Sequence, residues 1–234
     1  MKGAAPLLVP AVEPQDYYGR PILKEPVWKP EIGWYFFAGG LAGASCPLAL
    51  GAELTGNRRL ARRAWCAALA GLAASPPLLI RDLGRPERFL NMLRVFKPTS
   101  PMSVGSWILS ATGGAVTIAA ASSLTGRAPR AGRGASIAAG LALGPALATY
   151  TAVLVADTAI PVWHEARREL PWVFAGSAAA SAGAAAAMLT PARDAGPARR
   201  LAALGVVVET AAATLMERGL RELAEPYRSG EPRG

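Results

Sequence analysis

One histidine, two cysteines and a charged fraction of 18% are most of what this 234-residue chain offers to polar chemistry. With His164 alone, the ordinary Cys/His zinc sites and a haem held between two histidines cannot be assembled from this chain. The cysteines, Cys46 and Cys66, each lie inside an apolar run, which excludes a disulfide scaffold and reads as two buried, unreactive thiols. Soluble domains carry about a quarter charged residues. So low a fraction beside 52% hydrophobic residues excludes disorder and points to lipid.

The positive balance, 25 Lys and Arg against 16 Asp and Glu, does not form a nucleic-acid face. The cations fall between apolar runs: Arg58, Arg59, Arg62 and Arg63, then Arg81, Arg85, Arg88, Arg94 and Lys97, then Arg127, Arg130 and Arg133. That is the flanking pattern of membrane segments, and it argues against a nucleic-acid partner.

The first 32 residues are polar and punctuated by prolines from Pro6 to Pro30, which blocks helix and predicts an extended arm outside the membrane. No basic-then-apolar leader opens it. A bilayer core of about 30 Å needs roughly 20 mostly apolar residues. On that measure the sequence predicts spans over residues 33–54, 64–80, 104–124, 135–162, 172–189 and 201–216, then a polar tail over 217–234. The last span is short, alanine-rich and interrupted by Glu209. A soluble bundle would need polar stripes at helical spacing along these runs, and none is present. The expected fold class is therefore all-α: a polytopic transmembrane helical bundle of about six spans, with the proline-rich arm in front and a long amphipathic loop between spans two and three. Small residues inside the spans, such as Gly39, Gly40 and Gly43, supply close helix contact. The three short loops crowd Lys and Arg with few acids, which places them on the cytoplasmic side.

The long loop from Arg81 to Trp107 reads as a short interfacial amphipathic helix over residues 89–96. In it Asp82 can pair with Arg85 or a helix start, while Arg88 and Arg94 can face headgroups or a partner. A plain structural re-entry fits the same residues. Ionisable groups within spans are costly and so mark function. Asp157 follows Tyr150 by seven residues, two helical turns, on one helix face. Glu209 can pair with Arg81, Arg218 or another helix, Glu53 is expected to pair with Arg58 or Arg59, and His164 reads as an interfacial residue. Tyr35, beside Trp34, Phe36 and Phe37, also suits an aromatic belt. Tyr150 lies too deep in its run for that.

Four blocks, YFFAGGLAGAS (Tyr35–Ser45), DLGRPERF (Asp82–Phe89), KPTSPMSVGSW (Lys97–Trp107) and TYTAVLVADTAIPVW (Thr149–Trp163), occur in one order along the chain. In these blocks the chain resembles the NrfD/polysulfide reductase membrane-subunit family, the anchors of molybdopterin oxidoreductases. The resemblance implies a haem-free, multi-pass subunit of a bacterial or archaeal cytoplasmic membrane, with no catalytic centre for the primary substrate. Such a subunit exchanges electrons and protons with diffusible menaquinone or ubiquinone. It anchors a four-cluster iron-sulfur ferredoxin-like subunit and a molybdopterin catalytic subunit, and those partners hold the iron-sulfur clusters and molybdopterin. Carried over by motif, the quinone headgroup falls to Tyr35 and Tyr150, with Glu31 as a nearby carboxylate and Trp34 as a stacking surface. Asp157 and Glu209 become proton-relay groups, and Asp82, Arg85, Arg88 and Arg94 become a docking loop. Some relatives have histidine at the place of Tyr35, and the last helices of the usual family pattern have no counterpart in this sequence. The alternatives are a small proton- or ion-coupled transporter and a purely structural anchor.

Overall fold

The structure, a computed structural model, describes residues 30–82, 89–127, 129–225 and 227. Arg85 and Arg88, the side chain of Asp82, nearly all of the proline-rich arm and the end of the tail lie outside the described residues.

Helices follow one another with short turns: α1 (Pro30–Leu54), α2 (Arg58–Asp82), the single turn α3 (Phe89–Met92), α4 (Pro101–Thr125), α5 (Arg130–Ala138), α6 (Gly144–Ala156), α7 (Pro161–Glu165), α8 (Leu170–Leu189) and α9 (Gly196–Leu220). Five helical stretches are long and apolar enough to cross a membrane: α1, α2, α4, the α5–α6 stretch from Arg130 to Ala156, and α8. The alanine-rich α9 is not among them, but it lies antiparallel along α8, where a Cβ on Gly176 would meet the backbone of Glu209 and one on Gly183 the backbone of Ala202. The protein is thus an all-helical, multi-pass membrane bundle. Alternation puts the start of α1, the end of α2, the start of α4, the end of α6 and α7 on one face, here the first face.

The helix ends follow from local chemistry. Pro30 suits a first helical turn, where no N–H partner is lost, and Glu31 complements the positive end of the helix dipole. Gly56, with φ of 75°, takes the left-handed conformation that ends α1, and Asn57 N–H donates back to Ala52 O at 2.8 Å. Asn57 then starts α2 by accepting from Leu60 N–H at 3.1 Å. Its amide also donates to Asp194 O at 2.8 Å, and Arg59 reaches the Asp194 carboxylate at 3.2 Å. Arg62 donates to Ser123 O at 3.1 Å, so the three turns of the opposite face are tied to one another. Glu53 accepts from the buried Trp65 indole at 2.7 Å, while Arg59 goes to Asp194.

The fourth apolar run departs from the sequence pattern twice. Residues 139–143 form a π turn, and Thr112, fully buried on α4, donates to Leu143 O at 3.3 Å as well as to Ile108 O at 2.7 Å. A π turn disturbs the regular carbonyl pairing, and a threonine from a neighbouring helix supplies a donor that lipid cannot. The helix then ends at Ala156, short of Val162, because Pro161 forces Ile160 into extended backbone with φ −74° and ψ 114°. Among the described residues of the long loop after α2, helix covers Phe89–Met92; after it the chain turns, and Phe96 meets Trp107 edge-on with centroids 6.3 Å apart.

The centre of the bundle is the crossing of α1 with α2 and α6. A Cβ on Gly43 would meet Gly144 O at 2.6 Å and Ala148 N at 2.7 Å, and one on Gly71 would overlap Ala38 O. Backbone cannot yield as a side-chain tip can. Gly43→Ala is therefore expected to destabilise the protein by about 1–3 kcal/mol, the usual cost of overpacking. Gly113→Ala, with no atom within 4 Å of the new methyl, is expected to be neutral. Thermal unfolding of the two variants in one detergent checks the contrast.

Candidate functional site

The third and fourth sequence blocks meet at the first face. Ser100 caps α4, its hydroxyl accepting from Ser103 N–H at 3.4 Å, and Pro101 occupies the first turn. Ser103 in turn accepts from Lys97 N–H at 3.0 Å and donates to Val95 O at 3.3 Å, which folds the preceding loop back over the helix start. Two residues on, Gly105 lies flat against the ring of Tyr150: a Cβ there would overlap the ring carbons. The glycine of the block thus makes room for the tyrosine of the next one. This packing leaves Tyr150 only 9% exposed.

Beside that ring is a cavity of about 500 Å³. Pro98, Thr99 and Pro101 form one wall, Val104, Ala156 and the half-exposed Val153 an apolar side with Tyr150, and Asp157, His164 and Arg167 the rim. The size falls within the range typical of small-molecule sites, roughly 300–1,000 Å³. Asp157 sits just past the end of α6, its N–H donating to Val153 O at 3.0 Å. His164 is held by its N–H to Ile160 O at 3.0 Å, and its carbonyl accepts from Arg167 Nη1 at 3.1 Å. Arg167 also approaches Glu165 at 3.9 Å. Behind this rim, Ala166, Leu170, Val155, Ala156, Met216 and Leu220 form an apolar cluster that fixes the position of α7. The result is a polarity gradient, from an apolar interior with one phenol to a rim with carboxylate, imidazole and guanidinium.

Other residues singled out from the sequence lie elsewhere. Tyr35 is 1% exposed in the interior of the bundle, with Phe36 at a centroid distance of 6.1 Å, and its hydroxyl has no hydrogen-bond partner among the described residues. Trp34 points outward, 64% exposed and edge-on to Phe37. Glu31 is part-buried in the first turn of α1, and neither it nor the other two line the Tyr150 cavity. Glu209 borders a separate cavity of about 240 Å³ with Phe36, Gly40, Ser177 and Ser181. That space also touches Ala148, two residues from Tyr150 and so roughly 200° around α6. The two cavities therefore lie back to back on α6. Arg94 is exposed on the loop at the first face. Reasoning from sequence missed His164 and Arg167 as cavity residues and Gly105 as the seat of Tyr150. The signal for Gly105 was its place in the PTSPMSVG run.

These features describe a multi-pass membrane protein with a cavity of small-molecule size at one face. A family model described as NrfD, Polysulphide reductase, matches residues 23–218, most of the chain, and the protein belongs to that family. No curated protein and no solved structure matched the chain.

Gly105→Ala is expected to push the Tyr150 ring off its seat and to cost about 1–3 kcal/mol, because the overlap is with a buried ring. Adding Tyr150→Ala removes the clash, so the double variant should lose less than the two single losses summed. A thermal double-mutant cycle measures this coupling.

Proposed function

We propose that this protein is the quinone-exchanging membrane anchor of a molybdopterin oxidoreductase complex, with the headgroup held in the Tyr150 cavity. The observation that carries the reading is the meeting of two family blocks around one cavity whose wall is apolar and whose rim is polar. A quinone matches that gradient: a flat ring with two oxygens and a long apolar tail. Val104, Val153 and Ala156 offer the ring an apolar side, the Tyr150 hydroxyl donates to a ring oxygen, and Asp157 at the rim exchanges protons with water. Tyr35 and Trp34 flank the start of α1 as support and as a lipid-facing belt, and Glu31 lies beside them. Glu209 would exchange protons in its own cavity, apart from the quinone ring.

Electrons would pass between the quinone and a four-cluster iron-sulfur subunit docked over the first face, and onward to or from a molybdopterin subunit. The loop carrying Arg94 and the proline-rich arm supply the docking surface in this reading. The short, arginine-rich turns of the opposite face would then lie in the cytoplasm.

The full chain in detergent is expected to bind a menaquinone analogue saturably. Tyr150→Phe, which keeps the ring on Gly105 and removes only the hydroxyl, and Asp157→Asn should each weaken binding about tenfold, or roughly 1.4 kcal/mol. Titration of intrinsic fluorescence measures it. A folded wild-type protein that binds no analogue overturns the assignment.

A further inference from the structure

The single histidine of the chain stands on the rim of the Tyr150 cavity, where the proposed function does not yet use it. The geometry points to His164 as a proton-operated anion receptor: its imidazolium form, with Arg167, binds quinone-type headgroups that carry negative charge, and releases them as pH rises. This rests on the quinone reading and adds to it the charge state of the ligand and a pH control.

Position comes first. Within its own turn, His164 N–H bonds the Ile160 carbonyl and Arg167 bonds the His164 carbonyl, while Val162, Trp163 and Ala166 pack the segment against the apolar cluster behind it. From the C-terminal side, the Trp163 indole donates to the phenol oxygen of Tyr227, whose pKa is raised by burial and lowered in part by that bond. The histidine is therefore held at the cavity mouth by its neighbours on both sides, and its ring needs no rearrangement of the bundle to meet a ligand.

Chemistry comes second. Of the side-chain types on this wall, phenol, carboxyl and guanidinium ordinarily titrate far from neutrality, and imidazole is the one that changes charge near it. An uncharged quinone ring makes little use of a second cation beside Arg167. A headgroup that has gained electrons, or carries an ionised hydroxyl, gains from each positive charge placed at the rim. The surrounding charges are mixed, with five carboxylates against three guanidiniums. Asp157 faces the rim from the end of α6; Glu165, Arg167, Arg168 and Glu169 lie on and after α7; Arg221, Glu222, Glu225 and Tyr227 come from the turn after α9. Of the groups that line the cavity itself, Asp157 and Arg167 balance, so protonating His164 takes the lining from neutral to positive.

The test uses the full chain in lipid nanodiscs and two probes. One is a 2-hydroxy-3-alkyl-1,4-naphthoquinone, an anion at neutral pH, and the other is a short-chain menaquinone with no ionisable group. For the wild type, affinity for the anion should fall about fivefold or more from pH 6.5 to pH 8.5, while affinity for the menaquinone stays constant. His164→Gln should flatten the anion profile at its weak, high-pH level and still bind menaquinone, which also reports that the variant is folded. Arg167→Gln should weaken anion binding at every pH and keep the slope. A slope retained in His164→Gln, or a flat wild-type profile with both probes bound, overturns this inference and leaves the quinone reading standing. A wild type that binds neither probe overturns both.

Discussion

Close approach of backbone to backbone is the constraint on which the rest of this structure depends. Lipid removes the hydrophobic drive between helices, so the bundle must gain its cohesion from contact area and from polar groups satisfied inside it. At the α1–α6 crossing, Gly43 and Gly144 each lie where the other's Cβ would strike carbonyl oxygen. Once those two helices touch at that point, Tyr150, two turns further along α6, is carried to a fixed height near the first face. The π turn just before Gly144 belongs to the same solution. It adjusts the phase of the helix so that Gly140 meets Leu50 while Gly144 meets Gly43, and Thr112 compensates the carbonyl it disturbs.

The cavity is the consequence of a second small residue placed at the right height. Gly105 admits the Tyr150 ring, and the Ser100–Pro101 start of α4 stops that helix one turn above it. A longer helix would fill the space and a larger residue would expel the ring. The unusual proline- and serine-rich run is thus a device for ending a membrane helix early and folding the chain back, with Ser103 tying the returning strand of loop to the helix start. Sequence blocks that are far apart in the chain become the two halves of one pocket.

How much of this was legible in the sequence follows the physics of each signal. Apolar length dictates the helices, so the apolar runs lie within α1, α4 and α8, whose first turns begin two or three residues earlier, and the four blocks suffice to place the chain in its family. The spacing of Tyr150 and Asp157 predicts one helix face; in the structure both line one cavity, Asp157 from just beyond the end of the helix. What sequence could not show is contact between elements. That Gly105 receives Tyr150 while Gly113 meets nothing depends on how α4 is rotated, and the residue types are the same. Tyr35 and Trp34 are neighbours in sequence, but a helix turns by about 100° per residue, so one points into the bundle and the other into lipid. His164 and Arg167 were hidden by the break at Pro161. A continuous helix through Val162 would have carried them away from the mouth, and the turn brings them back over it.

Depth then explains the division of labour among the polar groups. At 1.5 Å per residue, Tyr150 lies about 9 Å below the end of α6, where an ionised group would cost several kcal/mol but a neutral phenol costs far less. Asp157, His164 and Arg167 sit at the face itself, exposed, where water still solvates their charge. A ligand that enters such a pocket is oriented by the gradient alone: its apolar part is drawn toward Val104 and Val153, and its oxygens lie between phenol and rim. In the proposed site this lets electrons arrive at a shielded ring while protons are exchanged only at the wet end. Glu209, in its own cavity behind α6, is separated from the Tyr150 cavity by the thickness of a helix.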